Sequence, residues 1–335
     1  MGINMEWYYI LLICICVAAL SLLIFSAIVY NAVFGTRHDK NSLLKYFDNN
    51  DFSLNVDEVT IPRKRGALRG FIYYPKNEKN GKLIVFCHGM GPGHIAYTTE
   101  IAYFCNSGFT VLALDSTGCN LSEGKTIVGM YEGVRTAIAA IDFARTDSRL
   151  SDMPVYLVGH SWGGYSALCA CAQRKVNAVV AISAPVSLVK IMYNNAAARM
   201  PKFFAILLCP FLAVVDFFKC GIKANLNAPK LADKSGTPVL HVHGDKDKVV
   251  PLNSSAYAKA KGKNAQKLLV ENRAHNPYNS IKAQKKMAEL FAALSSARKM
   301  SEEEKNEYFN NFDFAAATEE DSEVMDKITQ FLMAN

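Results

Sequence analysis

The sequence lacks the cysteine and histidine spacing of a metalloprotein. It has nine cysteines, and no two of them are spaced as C-x-x-C, since Cys169 and Cys171 are one residue too close. No H-x-x-x-H pair is present to complete a zinc site. Scattered cysteines in an odd number are typical of small buried side chains in a reducing compartment. We therefore predict no metal ion and no other cofactor.

A basic stripe is also missing from the sequence. The formal net charge is +7, but acidic and basic residues are interspersed through most of the chain without interleaved aromatic residues. This pattern excludes an extended nucleic-acid-binding surface. The small positive excess favours solubility or a weak attraction to anionic lipid.

Residues 7–34 contain no charged side chain. About 20 apolar residues cross the hydrocarbon core of a bilayer, so this run is long enough to span it. Three aromatic residues begin the run and Tyr30 lies near its end, as is usual at membrane interfaces. We predict a single-pass transmembrane anchor. A cleaved signal peptide and a buried core helix are the alternatives, but the start carries Glu6 and no lysine or arginine.

The charges around the anchor predict its orientation. Arg37, Lys40 and Lys45 follow the apolar run, and no side-chain cation precedes it. Because positive charge is enriched on the cytoplasmic side, we expect the C-terminal domain in the cytoplasm. Residues 35–55 are polar and are predicted to form a linker.

Residues 56–335 alternate between short apolar runs and helical patterns. A hairpin is expected at the start, over 58–62 and 68–74. Six further runs have the look of buried strands: 83–87, 109–114, 155–158, 178–182, 239–242 and 268–270. Helical patterns lie between or after them: 98–107, 128–145, 163–174, 254–261 and, at the end, 322–332. This alternation predicts an α/β domain with a mostly parallel sheet, whose functional residues gather at the carboxyl ends of the strands.

The strongest motif is Gly159-His160-Ser161-Trp162-Gly163, which matches G-x-S-x-G. It follows one predicted buried strand and precedes a predicted helix. Such a tight turn would expose the Ser161 hydroxyl at a helix N-terminus, where the dipole favours developing negative charge. A simple N-capping serine is the alternative.

A serine hydroxyl needs a base, and the base needs an orienting carboxylate. After the strand at 239–242, Asp245 and Asp247 are the two candidate acids. His275 follows the strand at 268–270 and is the last of the seven histidines.

A glycine-rich loop follows the strand at 83–87. It reads His88-Gly89-Met90-Gly91-Pro92-Gly93, and glycines let a loop approach a reaction centre closely. We expect His88 to brace this loop and His94 to lie at the mouth of the pocket.

These stretches together resemble the α/β-hydrolase superfamily, in the group that holds serine aminopeptidases, monoglyceride lipases and membrane-anchored homologues. The resemblance covers roughly 56–277 and the final helix. It implies the α/β-hydrolase fold, with Ser161 as nucleophile, His275 as base and Asp247, in its D-x-x-V-P context, as the acid in preference to Asp245. The backbone N–H groups of Met90 and Trp162 would then form the oxyanion hole.

Two insertions interrupt this pattern. Residues 187–233 contain an apolar run broken by Pro210 and lie where the superfamily usually carries its lid. We expect a helical cap there; contact with the membrane interface or a second span are the alternatives. Residues 279–321 are predicted to add surface helices, beginning with an amphipathic stretch over 281–298.

The expected activity is hydrolysis of a carboxylic ester, because an anchor and an apolar cap both suit a small-molecule or lipid acyl-ester substrate. A peptidase with the same three residues is one alternative, although the domain has no recognisable acidic pair for a substrate amine. A catalytically silent binding protein is the other. The sequence does not predict the oligomeric state.

Overall fold

The computed structural model describes residues 6–335. One eight-stranded sheet forms the centre of the domain, in the spatial order β1-β2-β4-β3-β5-β6-β7-β8. Pairing is antiparallel between β1 and β2 and between β2 and β4, and it is parallel from β4 onward. The strands are β1 (Val56–Ile61), β2 (Leu68–Tyr73), β3 (Leu83–Cys87), β4 (Thr110–Leu114), β5 (Val155–His160), β6 (Ala178–Ile182), β7 (Val239–Gly244) and β8 (Ala265–Val270).

Twelve α-helices accompany the sheet within residues 6–335. They are α1 (Trp7–Phe34), α2 (Thr98–Asn106), α3 (Tyr131–Ala144), α4 (Trp162–Cys171), α5 (Leu188–Ala197), α6 (Lys202–Cys220), α7 (Ala228–Ser235), α8 (Ala256–Lys259), α9 (Ile281–Ser296), α10 (Glu302–Asn310), α11 (Phe314–Ala317) and α12 (Ser322–Ala334).

The sheet separates two hydrophobic cores. Along β3, Leu83 and Val85 point into the core that contains α3 and α4, whereas Ile84 and Phe86 point into the core that contains α2 and α12. Strands buried on both faces read as continuous apolar runs, which is why β3 to β7 were recognisable in the sequence. The predicted α/β architecture with a mostly parallel sheet is confirmed.

Several element boundaries differ from the predictions, and two of these differences have clear physical reasons. Helix α3 begins at Tyr131 and not at 128, because Val128 has a φ of +71°, which no helix accommodates. Strand β8 begins at Ala265, three residues before the predicted start. Its positions are half-buried or exposed, and Gln266 and Lys267 are both exposed, as expected of an edge strand.

Helix α1 has two different halves. Residues 7–18 are exposed throughout, but Ser26, Tyr30 and Phe34 are buried. The Tyr30 hydroxyl donates a hydrogen bond to Asp216 Oδ1 on α6, at 2.8 Å. The second half of α1 is therefore part of the domain core.

The apolar run of the 187–233 insertion lies in helix α6. It contains Pro210 and exposes several large apolar side chains, among them Phe203, Phe204, Phe217 and Phe218. By length and composition, α1 and the Lys202–Ser235 segment are the two parts of the described chain apolar enough to cross a membrane. The 279–321 insertion contains α9, α10 and α11.

Residues 35–55, predicted as a linker, form neither a helix nor a strand of the main sheet but are fastened to the domain. The N–H of His38 donates to Gly118 O at 2.8 Å, and the Arg37 guanidinium donates to Ser122 O at 2.8 Å. Leu54 is buried. The segment therefore follows the surface of the domain.

Candidate active site

Ser161 occupies a sharp turn between β5 and α4. Its φ of +56° and ψ of −116° lie in a region that non-glycine residues rarely adopt. Two glycines make the turn possible. A Cβ on Gly163 would lie 1.8 Å from the carbonyl oxygen of Cys87, and one on Gly159 would lie 2.3 Å from that of Gly163. The G-x-S-x-G spacing is thus required by the close approach of three backbone segments.

The structure brings His275 between Ser161 and Asp247. Its Nε2 lies 2.9 Å from Ser161 Oγ, and its Nδ1 lies 2.8 Å from Asp247 Oδ2. The carboxylate fixes the tautomer, because an Nδ1–H that donates to Asp247 leaves Nε2 free to accept the serine proton. The three side chains come from loops at the carboxyl ends of three parallel strands.

Asp247 is held as a carboxylate. Its Oδ1 accepts hydrogen bonds from the N–H groups of Val249 and Val250, at 2.8 and 2.9 Å. Burial alone would raise the pKa of this carboxyl, but the hydrogen bond and charge of His275 and the Val250 amide outweigh it, so the pKa lies below its usual value. The side chain is 0% exposed, which makes its charge effective on the imidazole.

Asp245, the competing acid, is directed elsewhere. Its Oδ2 lies 3.2 Å from Lys246 Nζ, and its Oδ1 accepts from the N–H of Arg273 at 3.3 Å. It therefore stabilises the loop that carries His275. A further buried side chain, His243, donates from Nε2 to Val250 O at 3.0 Å and lies 3.5 Å from Asp247 Oδ2.

The two N–H groups predicted for the oxyanion hole belong to Met90 and Trp162. Within residues 6–335, neither N–H donates to another protein atom. The loop before Met90 is fixed by His88, whose Nε2 accepts from the Ser116 N–H at 2.9 Å and whose Nδ1 lies 2.7 Å from Gly89 O. Burial lowers the pKa of His88, so the ring is neutral and can accept at one nitrogen and donate at the other.

A hydrogen-bond chain that the sequence did not predict links this loop to the base. The Tyr97 hydroxyl accepts from the Gly89 N–H at 3.0 Å and lies 2.9 Å from His160 Nδ1. His160 Nε2 in turn lies 2.9 Å from His275 O. Since a carbonyl only accepts, Nε2 carries the proton and Nδ1 accepts from Tyr97. Burial lowers the pKa of His160 to about 3, which keeps this arrangement neutral.

The prediction for His94 was wrong. Its ring is 1% exposed and is not at a pocket mouth. Nδ1 lies 2.7 Å from Asp115 Oδ1, which also accepts from the His94 N–H at 2.7 Å. These two hydrogen bonds to Asp115, the residue after β4, therefore hold the His94 ring in the interior. A Cβ on Gly93 would lie 1.8 Å from that same oxygen, so the preceding glycine is necessary.

The part of the chain that the structure covers, 6–335, has no group of three or more His, Cys, Asp or Glu side chains that could hold a metal ion. All nine cysteines lie in this part, and all are free thiols.

Comparisons with known proteins agree with this fold. Residues 78–215 match the family model described as serine aminopeptidase, S33. An esterase from Pyrococcus furiosus, Pf2001, superposes with a TM-score of 0.56 at 17% identity, covering 78% of this chain and 98% of that one. The chain has the α/β-hydrolase fold.

A second solved structure is more distant. Est1E from Butyrivibrio proteoclasticus has a TM-score of 0.48 at 20% identity, over 72% of this chain and 99% of that one. No curated protein matches the sequence.

Proposed function

We propose that this α/β-hydrolase is a membrane-attached serine hydrolase that cleaves carboxylic esters. One observation carries the proposal: His275 lies within hydrogen-bond distance of both Ser161 Oγ and Asp247 Oδ2. A hydroxyl, an imidazole and a buried carboxylate in this order form a unit for nucleophilic catalysis.

In the first half of the reaction, Ser161 Oγ attacks the ester carbonyl and passes its proton to His275 Nε2. Asp247 stabilises the imidazolium that results. The negative charge on the carbonyl oxygen is accepted by the N–H groups of Met90 and Trp162, and one such donor is typically worth about 100-fold to 1,000-fold in kcat. The imidazolium then donates its proton to the leaving alcohol, and an acyl-Ser161 ester remains.

In the second half, a water molecule takes the place of the alcohol. His275 removes one proton from this water as it attacks the acyl carbonyl, and the same two N–H groups stabilise the second oxyanion. Collapse of the intermediate returns the proton to Ser161 Oγ and releases the carboxylic acid. No cofactor enters either half.

Reaction with a fluorophosphonate probe tests the nucleophile, because such probes phosphonylate an activated serine. We expect the wild-type chain in a membrane fraction to be labelled and Ser161→Ala to be unlabelled. Ser166→Ala is the matched control, since Ser166 lies on α4 with its hydroxyl donating to Trp162 O; it should label normally. Equal labelling of wild type and Ser161→Ala would contradict the proposal, and a wild type that never labels would favour a silent binding protein.

A serine peptidase is the second candidate, favoured by the description of the matching family model. The ester assignment is supported by the activity named for Pf2001 and by the apolar side chains of α6. A panel of p-nitrophenyl acyl esters and aminoacyl p-nitroanilides separates the two. We expect turnover of the esters; turnover of the anilides alone would establish the peptidase.

We also propose that α1 stays on the mature protein and spans the membrane. A cleaved signal peptide would remove Tyr30 and Phe34, which are buried in the domain core, and would leave Asp216 without its hydroxyl partner. The intact mass of the purified protein tests this, with the full chain expected and a chain that begins after residue 34 contradicting it.

The domain is proposed to face the cytoplasm, on the basis of Arg37, Lys40 and Lys45 and of the seven free thiols of the domain itself. Protease added outside intact cells should leave the domain whole and should digest it only after permeabilisation. Digestion of the domain in intact cells would show that the domain lies outside the cytoplasm.

A further inference from the structure

An apolar cavity opens beside the predicted oxyanion loop. Its volume is about 280 Å³, and its walls come from residues 44–47, the loop from Met90 to Thr99, helix α9 and helix α11 with Thr318. Leu290, Phe314 and Ala317 are buried residues of this lining, whereas Met90 and Phe291 are exposed. Helices α5 and α6 do not contribute to it.

The lining offers little to a polar ligand. Lys45 is its one charged residue, and Lys45 Nζ lies 5.0 Å from the centre of the Phe47 ring. The three threonine hydroxyls already donate to nearby acceptors, those of Thr98 and Thr318 to backbone carbonyls and that of Thr99 to a carboxylate. An adjoining cleft of about 630 Å³ is larger, but its walls include several carboxylates and do not include Met90.

Met90 joins this cavity to the reaction centre. Its backbone N–H is one of the two proposed oxyanion donors, and its side chain lines the cavity. The residue before it, Gly89, lies directly against the nucleophile's strand, since a Cβ there would be 3.4 Å from the carbonyl oxygen of His160. A carbonyl group held by the Met90 amide would therefore lie next to a residue that lines the cavity.

We propose that this cavity is the subsite for the acyl chain of the ester, a linear, uncharged chain of medium length. The inference rests on the proposed function and adds the substrate class. A methylene group is close in size to a water molecule, which takes up about 30 Å³ in the liquid. A cavity of about 280 Å³ then holds a chain of roughly nine carbons.

The expected signature is a dependence on chain length. Each buried methylene contributes about 0.8 kcal/mol, a factor of about four in kcat/KM. We expect kcat/KM of the detergent-solubilised full chain to rise from the acetyl to the octanoyl p-nitrophenyl ester. It should level off or fall beyond about ten carbons, once the cavity is full.

A tryptophan placed in the wall should close the subsite. Met287 is half-buried and lines the cavity; Ala288, its neighbour on α9, is exposed and does not. We expect Met287→Trp to lower the ratio of octanoyl to acetyl kcat/KM by more than about tenfold, equivalent to the loss of two or more methylene contacts. Ala288→Trp, with the same new side chain, should keep the wild-type ratio.

Ala96→Trp provides a second test on the opposite wall, because Ala96 is exposed and lines the cavity. A wild type that labels with the fluorophosphonate probe, but whose octanoyl-to-acetyl ratio survives in both wall variants, overturns the subsite and leaves the proposed function intact. A wild type that neither labels nor hydrolyses any ester overturns the proposed function itself.

Discussion

His160 stands one position before the nucleophile and holds together the segments that meet there. Its ring accepts from Tyr97 and donates to the carbonyl of His275, while Tyr97 accepts from Gly89. The loop of the proposed oxyanion hole and the proposed base, His275, therefore share one chain of hydrogen bonds. Tyr97 touches no reacting atom, so its role is to position the groups that do.

Replacing Tyr97 by Phe removes the centre of this chain. The Gly89 N–H and His160 Nδ1 lose their partner, and each unsatisfied buried group costs about 1–3 kcal/mol. We expect a lower free energy of unfolding in denaturant titrations and a kcat that falls more than KM rises. Tyr103→Phe is the control, because the Tyr103 hydroxyl donates at the surface to Asp326. Equal effects of the two variants on kcat would contradict the positioning role.

The two aspartates after β7 should respond very differently to conversion to Asn. Asp247→Asn keeps the shape of the side chain but removes the charge beside His275, and the equivalent change in a catalytic triad costs about 10⁴ in kcat. Asp245→Asn should change kcat by less than about threefold, because Asp245 bonds to Lys246 and to the Arg273 N–H. Steady-state hydrolysis of a short ester measures both. If Asp245→Asn lost more kcat than Asp247→Asn, Asp245 and not Asp247 would be the acid that orients His275.

A pair of carboxyl groups, Glu100 and Glu320, should make stability depend on pH. Burial raises the pKa of Glu100 to about 6 and raises that of Glu320 as well, with the Glu100 charge adding to the rise. Below the pKa of the unfolded state, near 4.5, both carboxyls are protonated in the folded and in the unfolded chain. Their raised folded pKa values then cost no stability. Stability is then lost as the pH rises through the folded pKa.

Glu320→Gln should therefore raise Tm at pH 8 by several degrees and leave it unchanged at pH 4.5. Glu319→Gln serves as the control, since Glu319 is exposed and bonds to Ser280. Thermal unfolding in detergent at both pH values measures the difference. A shift of the same size at both values would mean that ionisation of Glu320 is not the cause.

At the scale of single residues, the sequence predicted which residues form the site, but it did not predict all of the side chains that hydrogen-bond around them. Ser161, Asp247 and His275 follow strands in the expected order, and the structure places them within hydrogen-bond reach. In the sequence, His160 is only the first of the two variable positions of the G-x-S-x-G motif, to which no role is assigned. Its partner Tyr97 is 63 residues away, so nothing local could indicate the bond.

At the scale of elements, helix α1 has two roles that its composition did not separate. The sequence shows an uninterrupted apolar run, which predicts a span and says nothing about which face packs. In the structure, residues spaced by four along the second half, Ser26, Tyr30 and Phe34, are buried. A tertiary contact with α6 decides this, and hydropathy alone does not reveal it.

Two N-terminal deletions test this second role. Removal of residues 1–35 takes away Tyr30 and Phe34, and losing even one large buried aromatic costs about 3–5 kcal/mol. We expect that variant to unfold at much lower denaturant than the full chain. Removal of residues 1–17 leaves the buried face in place, so the free energy of unfolding should stay close to that of the full chain. Equal stability of both variants would show that α1 is a simple tether.

At the scale of the molecule, the proposed membrane span of α1 has a consequence for the distance between the domain and the bilayer. Only residues 7–18 of α1 are exposed throughout, a length of about 18 Å at 1.5 Å per residue. The hydrocarbon core is about 30 Å thick. If α1 spans it, the part of α1 that is packed against α6 must enter the membrane too, and the exposed side chains of α6 come into contact with lipid.

Photo-crosslinking measures this contact. Phe218 lies between Asp216 and Cys220, the α6 residues beside Tyr30, and is 80% exposed. The amino acid p-benzoylphenylalanine at position 218 should give lipid adducts in membranes on irradiation, detected by mass spectrometry. The same group at Leu269, on the edge strand β8, should give none. Adducts at neither position would place the domain clear of the bilayer.

The hydrogen bond between Tyr30 and Asp216 also limits how freely the proposed anchor can be exchanged for another. Membrane tethers are commonly treated as modules that can be transplanted between proteins when their length and hydropathy match. Here a foreign span without a tyrosine at this position would leave Asp216 without its hydroxyl partner. Asp216 is 1% exposed, and its other carboxylate oxygen accepts from the Asn225 N–H. Asp216 would then stay buried with one of its two hydrogen bonds missing. We therefore expect such a chimera to fold less stably, whatever the location to which the new span directs it.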